Sequence, residues 1–190
     1  MSRSAVVALV LLRLAAAVSA MDVSQLIASG DEALAKFDLS NATAAYKRAL
    51  KIDAKNYDAC WRLARALADT ATLETDDAKK KLLLIEAQDY ARWSVKFNPN
   101  DSKGHTFLAV VVGKLALYQG GRTKVELSKE VKTEAEKAIA LNPKADLAYH
   151  VLGVWNREMV GLNWFLEKFA EVLYGSFPPA SMDDALKSLR

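Results

Sequence analysis

From about residue 22 onward, apolar and polar positions recur with a helical period, in blocks separated by short polar links. The pattern predicts helices near 22–36, 40–53, 57–70, 77–97, 102–118, 124–141, 145–158 and 160–174. A short helix near 181–189 follows Ser181, which stands three residues before Asp184 in a capping-box-like spacing. Ala, Leu, Lys and Glu dominate, and each favours helix. The 190 residues include 8 Gly and 4 Pro, too few for the turn punctuation of an all-β chain.

Three helix ends look alike. The first reads Tyr46-x-x-Ala49-Leu50-x-Ile52-Asp53-Ala54. The second reads Ala91-x-x-Ser94-Val95-x-Phe97-Asn98-Pro99, and the third Ala135-x-x-Ala138-Ile139-x-Leu141-Asn142-Pro143. A small residue allows two helices to approach, the apolar ones are expected to fill the seam, and Pro stops the helix. The helices that follow carry a large-small pair, Leu63-Ala64, Leu108-Ala109 and Leu152-Gly153, with Ser29-Gly30 in the same slots of the first unit. These features predict an all-α fold, a tetratricopeptide-like α-α superhelix that is a short solenoid of antiparallel helix pairs. The repeats fall at about 23–56, 57–101, 102–145 and 146–190. Their period exceeds the usual ~34 residues. The excess lies in Asp69 to Lys81 and Gly120 to Lys129, charged stretches expected to be longer helix ends and inter-helix loops.

Residues 1–20 have a different composition. Arg3 opens them, Ala5 to Leu12 is an unbroken apolar run, and Val18-Ser19-Ala20 offers small residues before a cut. This is the layout of a signal peptide, which implies a periplasmic, secreted or luminal protein over 21–190. Arg13 interrupts the apolar stretch, so an uncleaved anchor (the one route to a membrane), a mitochondrial presequence or a start at Met21 stay open.

The net charge is +3, and two of the positive charges belong to that leader. The rest is almost balanced, which argues against a nucleic-acid binder. Cys60 is the single cysteine, so neither an internal disulfide nor a cysteine-based metal site can form. His105 and His150 lie far apart, and no nucleophile elbow, phosphate loop or His-Glu-x-x-His motif occurs. The sequence therefore predicts no enzyme, no cofactor and no metal site. A hydrolase or transferase would need converging carboxylates that the sequence does not assemble.

Stacked pairs leave a concave surface that binds other proteins. The repeat phase places Trp61, Arg65, Lys103, Thr106, Lys114, His150 and Arg157 there. That basic set with an aromatic suits an acidic peptide or tail. Each residue has a plainer reading too, Trp61 as core and the cations as solvated positions. Ile27 and Asp31 occupy slots where a chaperone-type carboxylate clamp would need other residues. Trp155, Trp164, Phe165, Phe169 and Tyr174 make an aromatic stretch whose first reading is core beneath the last helix, with a membrane-seeking face as the alternative. Asn41-Ala42-Thr43 is a glycosylation sequon that matters only in a eukaryotic secretory pathway.

Beyond the general repeat, Leu152-Gly153-x-Trp155, Leu162-x-Trp164, Phe177-Pro178-Pro179-Ala180 and Asp184-Ala185-Leu186 form a more specific signature. With Trp61-Arg62-x-Ala64-Arg65-Ala66-Leu67 and Lys137-Ala138-Ile139-Ala140-Leu141-x-Pro143, it resembles the regulator of microtubule dynamics family over about residues 25 to 189. The resemblance implies a tetratricopeptide-like adaptor that binds tubulin, with a cytoplasmic, spindle-associated or mitochondrial location. It also implies structural roles for Gly153, Trp155, Trp164, Pro178 and Pro179. The competing expectation is an exported structural or assembly factor with no cytoskeletal role.

Overall fold

The structure, a computed structural model, describes residues 22–119, 121–160 and 181–188. These residues form eight helices and no strand: α1 Val23–Ala35, α2 Leu39–Ile52, α3 Tyr57–Leu73, α4 Asp77–Phe97, α5 Ser102–Ala116, α6 Gly121–Leu141, α7 Asp146–Val160 and α8 Met182–Ser188. The leader over 1–20, the helix expected near 160–174, and Trp164, Phe165, Phe169, Tyr174, Pro178 and Pro179 lie outside the described residues.

Polar caps set where the helices begin. Asp22, Asp38, Asn56, Asp76 and Asp101 each accept a backbone N–H from the first turn of the helix that follows, satisfying donors that the helix itself leaves free. Asp22 and Gln25 complete a reciprocal capping box. The shared helix ends work through their small residues: Ala49, Ser94 and Ala138 are fully buried where neighbouring helices meet. The apolar residues expected to fill that seam do not all do so. Ile52 is 60 % exposed and Leu141 38 %, because they point off the back of their helices.

Each helix packs on the next, and a second row of contacts links α1 to α3, α3 to α5 and α5 to α7. The first helices of successive pairs thus form a continuous inner row. The core follows the joints: Leu63, Ala64 and Leu67 of α3, Leu84 and Ala91 of α4, and Leu108, Val111 and Val112 of α5 are buried together. The surplus residues of the long repeats are mostly helix, since α3 has 17 residues, α4 has 21, and only Glu74 to Asp76 separate them. Ser181 accepts the Asp184 backbone N–H at 3.0 Å, and α8 packs on α7.

Polar side chains fix the angles between pairs. The Tyr46 hydroxyl donates to Asp31 at 2.7 Å, and Arg62 Nε donates to the same carboxylate at 2.9 Å, tying α2 and α3 to α1. Asp31 thus serves the joint of the first repeat. Tyr46 also explains Gly30: a Cβ there would collide with its ring. The Tyr57 hydroxyl accepts the Gly104 N–H at 3.2 Å and bonds the Asp101 carboxylate, joining the start of α3 to the start of α5. His105 is fully buried; its Nε2–H donates to the Pro99 carbonyl at 2.9 Å, and Nδ1 pairs with Glu134 of α6. Cys60 is also buried, and burial pushes its thiol up to about 11, which makes it a core residue of low reactivity.

Candidate functional site: a groove along the inner helix row

Counting from each large-small pair places equivalent side chains on the inner row. Two residues after Leu63, Leu108 and Leu152 come Arg65, Val110 and Val154; four further on come Asp69, Lys114 and Glu158. A helix returns to the same face at such spacings. These six side chains come together around one groove of about 740 Å³, built by α3, α5 and α7 and backed by α6. Its floor is apolar, with Val110, Gly113, Val151 and Val154 beside Phe107 and Leu147. Its rim carries four basic side chains, Arg65, Lys114, Lys124 and Arg157, against two acidic ones, Asp69 and Glu158.

Four of the residues expected on the concave face, Arg65, Lys114, His150 and Arg157, line this groove. Arg65 Nε lies 3.6 Å from Asp69, Lys114 Nζ donates to the Thr72 hydroxyl at 2.8 Å, and Arg157 pairs with Glu158 at 3.0 Å. Asp69 is therefore the acidic counterweight inside a mostly basic rim. Burial pushes its carboxyl above the usual carboxylate range, against the pull of Arg65 and Lys114.

Trp61 and Lys103 form a second, adjoining patch. The Trp61 ring is buried and stacks on Phe107, with centroids 5.4 Å apart and planes 9° from parallel. Its indole N–H donates to Asp58 at 3.3 Å. The Arg62 guanidinium sits 4.2 Å and Lys103 Nζ 5.2 Å from the ring centroid. Trp61 thus works mainly as a platform that holds cations, and Phe107 joins that platform to the groove. Thr106 does not belong to the surface. It is buried, and its hydroxyl donates to the Ser102 carbonyl at 2.8 Å, because α5 turns that position toward its neighbours. Trp155 is also buried; its N–H donates to the Ser128 carbonyl at 2.7 Å and anchors α7 on α6 beneath the groove. Gly153 is buried on the same helix.

The apolar floor, Phe107 and Asp69 were not anticipated from the sequence. The signal was present in the repeat register, where Val110 and Val154 take the slot of Arg65. Among the described residues, no group of three or more His, Cys, Asp or Glu is placed to hold a metal ion, and no helix is long and apolar enough to cross a membrane.

Antiparallel helix pairs stacked along an inner row define a helical-repeat protein of the tetratricopeptide class. The same fold occurs in the Sgt2 TPR domain of Aspergillus fumigatus, with a TM-score of 0.57, 21 % identity and coverage of 84 % of this chain and 86 % of that one. It also occurs in a thermophilic TPR protein of Thermus thermophilus, with a TM-score of 0.62, 17 % identity and coverage of 87 % and 73 %. Within that class the chain belongs to the family described as regulator of microtubule dynamics protein 1-3, whose model matches residues 26–190. Regulator of microtubule dynamics protein 1 of Mus musculus is 34 % identical over 128 residues, 67 % of this chain and 42 % of the relative. The Bos taurus protein of the same name is 32 % identical over 135 residues, 70 % of this chain and 43 % of the relative. Regulator of microtubule dynamics protein 3 of Xenopus laevis is 30 % identical over 67 % of this chain and 28 % of its own length. The chain thus spans less than half the length of these curated relatives.

Proposed function

We propose that this protein is a non-catalytic interaction module whose inner groove binds an acidic segment of a protein partner. The groove is the observation that carries the reading, because it sets a basic rim over an apolar floor on the face formed by the first helix of each pair. Arg can hold a carboxylate through two parallel N–H bonds, and an apolar floor adds the desolvated contact that gives a complex its lifetime. The acidic tails of tubulin are the first partner to test, since the relatives are named regulators of microtubule dynamics. That partner places the working protein in the cytoplasm.

Co-sedimentation with microtubules is the direct test. Arg65→Glu combined with Arg157→Glu should raise the Kd by about tenfold or more, a loss of ~1.4 kcal/mol. The helical circular dichroism should not change. Binding that survives both charge reversals would remove the groove from the mechanism.

A further inference from the structure

Glycine inside a helix is a poor choice unless something demands it, because it carries a larger entropic cost than alanine. Two described glycines have a reason in the packing. A Cβ at Gly30 would enter the Tyr46 ring, and one at Gly104 would lie 3.0 Å from Ser94 Oγ. Gly113 is different. It lies within α5, one residue before Lys114, and a Cβ there would meet Val131 Cγ2 at 3.7 Å, an ordinary contact. Its backbone is not left-handed either. Neither packing nor conformation calls for glycine at this position.

Gly113 lines the groove together with the apolar Val110, Val131 and Val154. We propose that Gly113 is a seat for one aliphatic side chain of the bound segment, whose flanking carboxylates reach Arg65 and Lys114. The inference rests on the groove being the binding site, and it narrows the ligand. The basic excess of the rim selects an acidic peptide, and the apolar floor requires that this peptide carry an embedded Leu-like residue. A wholly acidic tail would leave Val110 and Val154 uncovered and lose that contact.

The probe is a fluorescein-labelled peptide of repeating Glu-Leu-Glu units, compared with versions carrying Gly for Leu or Gln for Glu, and titrated by anisotropy into the full chain. The wild-type protein should prefer the Leu peptide over the Gly peptide by about tenfold or more, an energy of ~1.4 kcal/mol. Gly113→Ala should raise Tm by about 2–4 °C through helix propensity and yet weaken binding. Gly113→Leu should weaken it further, and the alanine variant separates occlusion from misfolding. Unchanged affinity in both variants, with binding still lost in Lys114→Glu, overturns the seat and keeps the groove. Binding indifferent to Gly113 and Lys114 alike overturns both. Equal affinity for the Leu and Gly peptides, or none for either, overturns the ligand assignment.

Discussion

Phe37 shows how much a single residue can be asked to tolerate. It ends α1 at φ 58°, in the left-handed region, while its N–H bonds the Leu34 carbonyl and the Asp38 N–H bonds the Ala33 carbonyl. This is a Schellman turn with a bulky residue in the slot that glycine normally fills. The side chain is 84 % exposed, so it returns little packing for the strain. Phe37→Gly should therefore stabilise the protein by about 1 kcal/mol in urea denaturation. A loss of stability would contradict the strain assigned to the left-handed Phe37. The turn was legible in Asp38 as a cap, but the left-handed residue was not, because nothing about Phe announces it.

Among the elements, two aspartates on the inner row respond to pH in opposite senses. Asp101 caps α5. Burial alone would raise its carboxyl, but the Tyr57 hydroxyl and the Lys103 N–H pull it below the usual range. Its folded-state value lies under the unfolded one, so its contribution is complete above the ordinary carboxylate value and is lost as pH falls through the lowered one. Asp69 is raised by burial. The folded state holds its proton more tightly than the unfolded chain does, so a penalty grows as pH rises through the raised value. Asp69→Asn should therefore gain stability over wild type as pH rises above the ordinary carboxylate value. Asp101→Asn should lose its deficit only in stronger acid. Urea midpoints across pH decide the matter, and identical profiles for the two variants would contradict both assignments. The caps themselves could be read from Asp and Asn before each helical block. The fate of His105 could not, since its burial depends on Glu134 arriving from a helix 29 residues away.

For the whole molecule, the main helix–helix contacts among the described residues run between neighbouring and next-neighbouring helices, so stability should be local in the manner of a repeat array. Arg62 provides a way to test this, because it holds the first pair to the second through Asp31 while also bonding Asp58. Arg62→Met should cost about 1–3 kcal/mol, the range for hydrogen bonds to charged groups. Hydrogen exchange should speed up first in α1 and α2, while α5 and α6 stay protected. Uniform acceleration along the chain would instead indicate a single cooperative unit.

The sequence by itself determined the described helices, their order and the small residues at their joints, because those depend on periodicity, caps and chain-breaking prolines within a few residues of each other. It also placed Arg65, Lys114, His150 and Arg157 on the inner row, since a repeating register fixes the face on which a side chain lies. Only the tertiary structure decided that Thr106 is buried, that Trp61 is covered by Phe107 and two cations, and that Val110, Gly113 and Val154 form a floor. Those outcomes depend on how closely α3, α5 and α7 approach. That distance is set by contacts such as Tyr57 on Gly104, which joins α3 to α5, and Trp155 on Ser128 beneath the groove, between residues far apart in the chain.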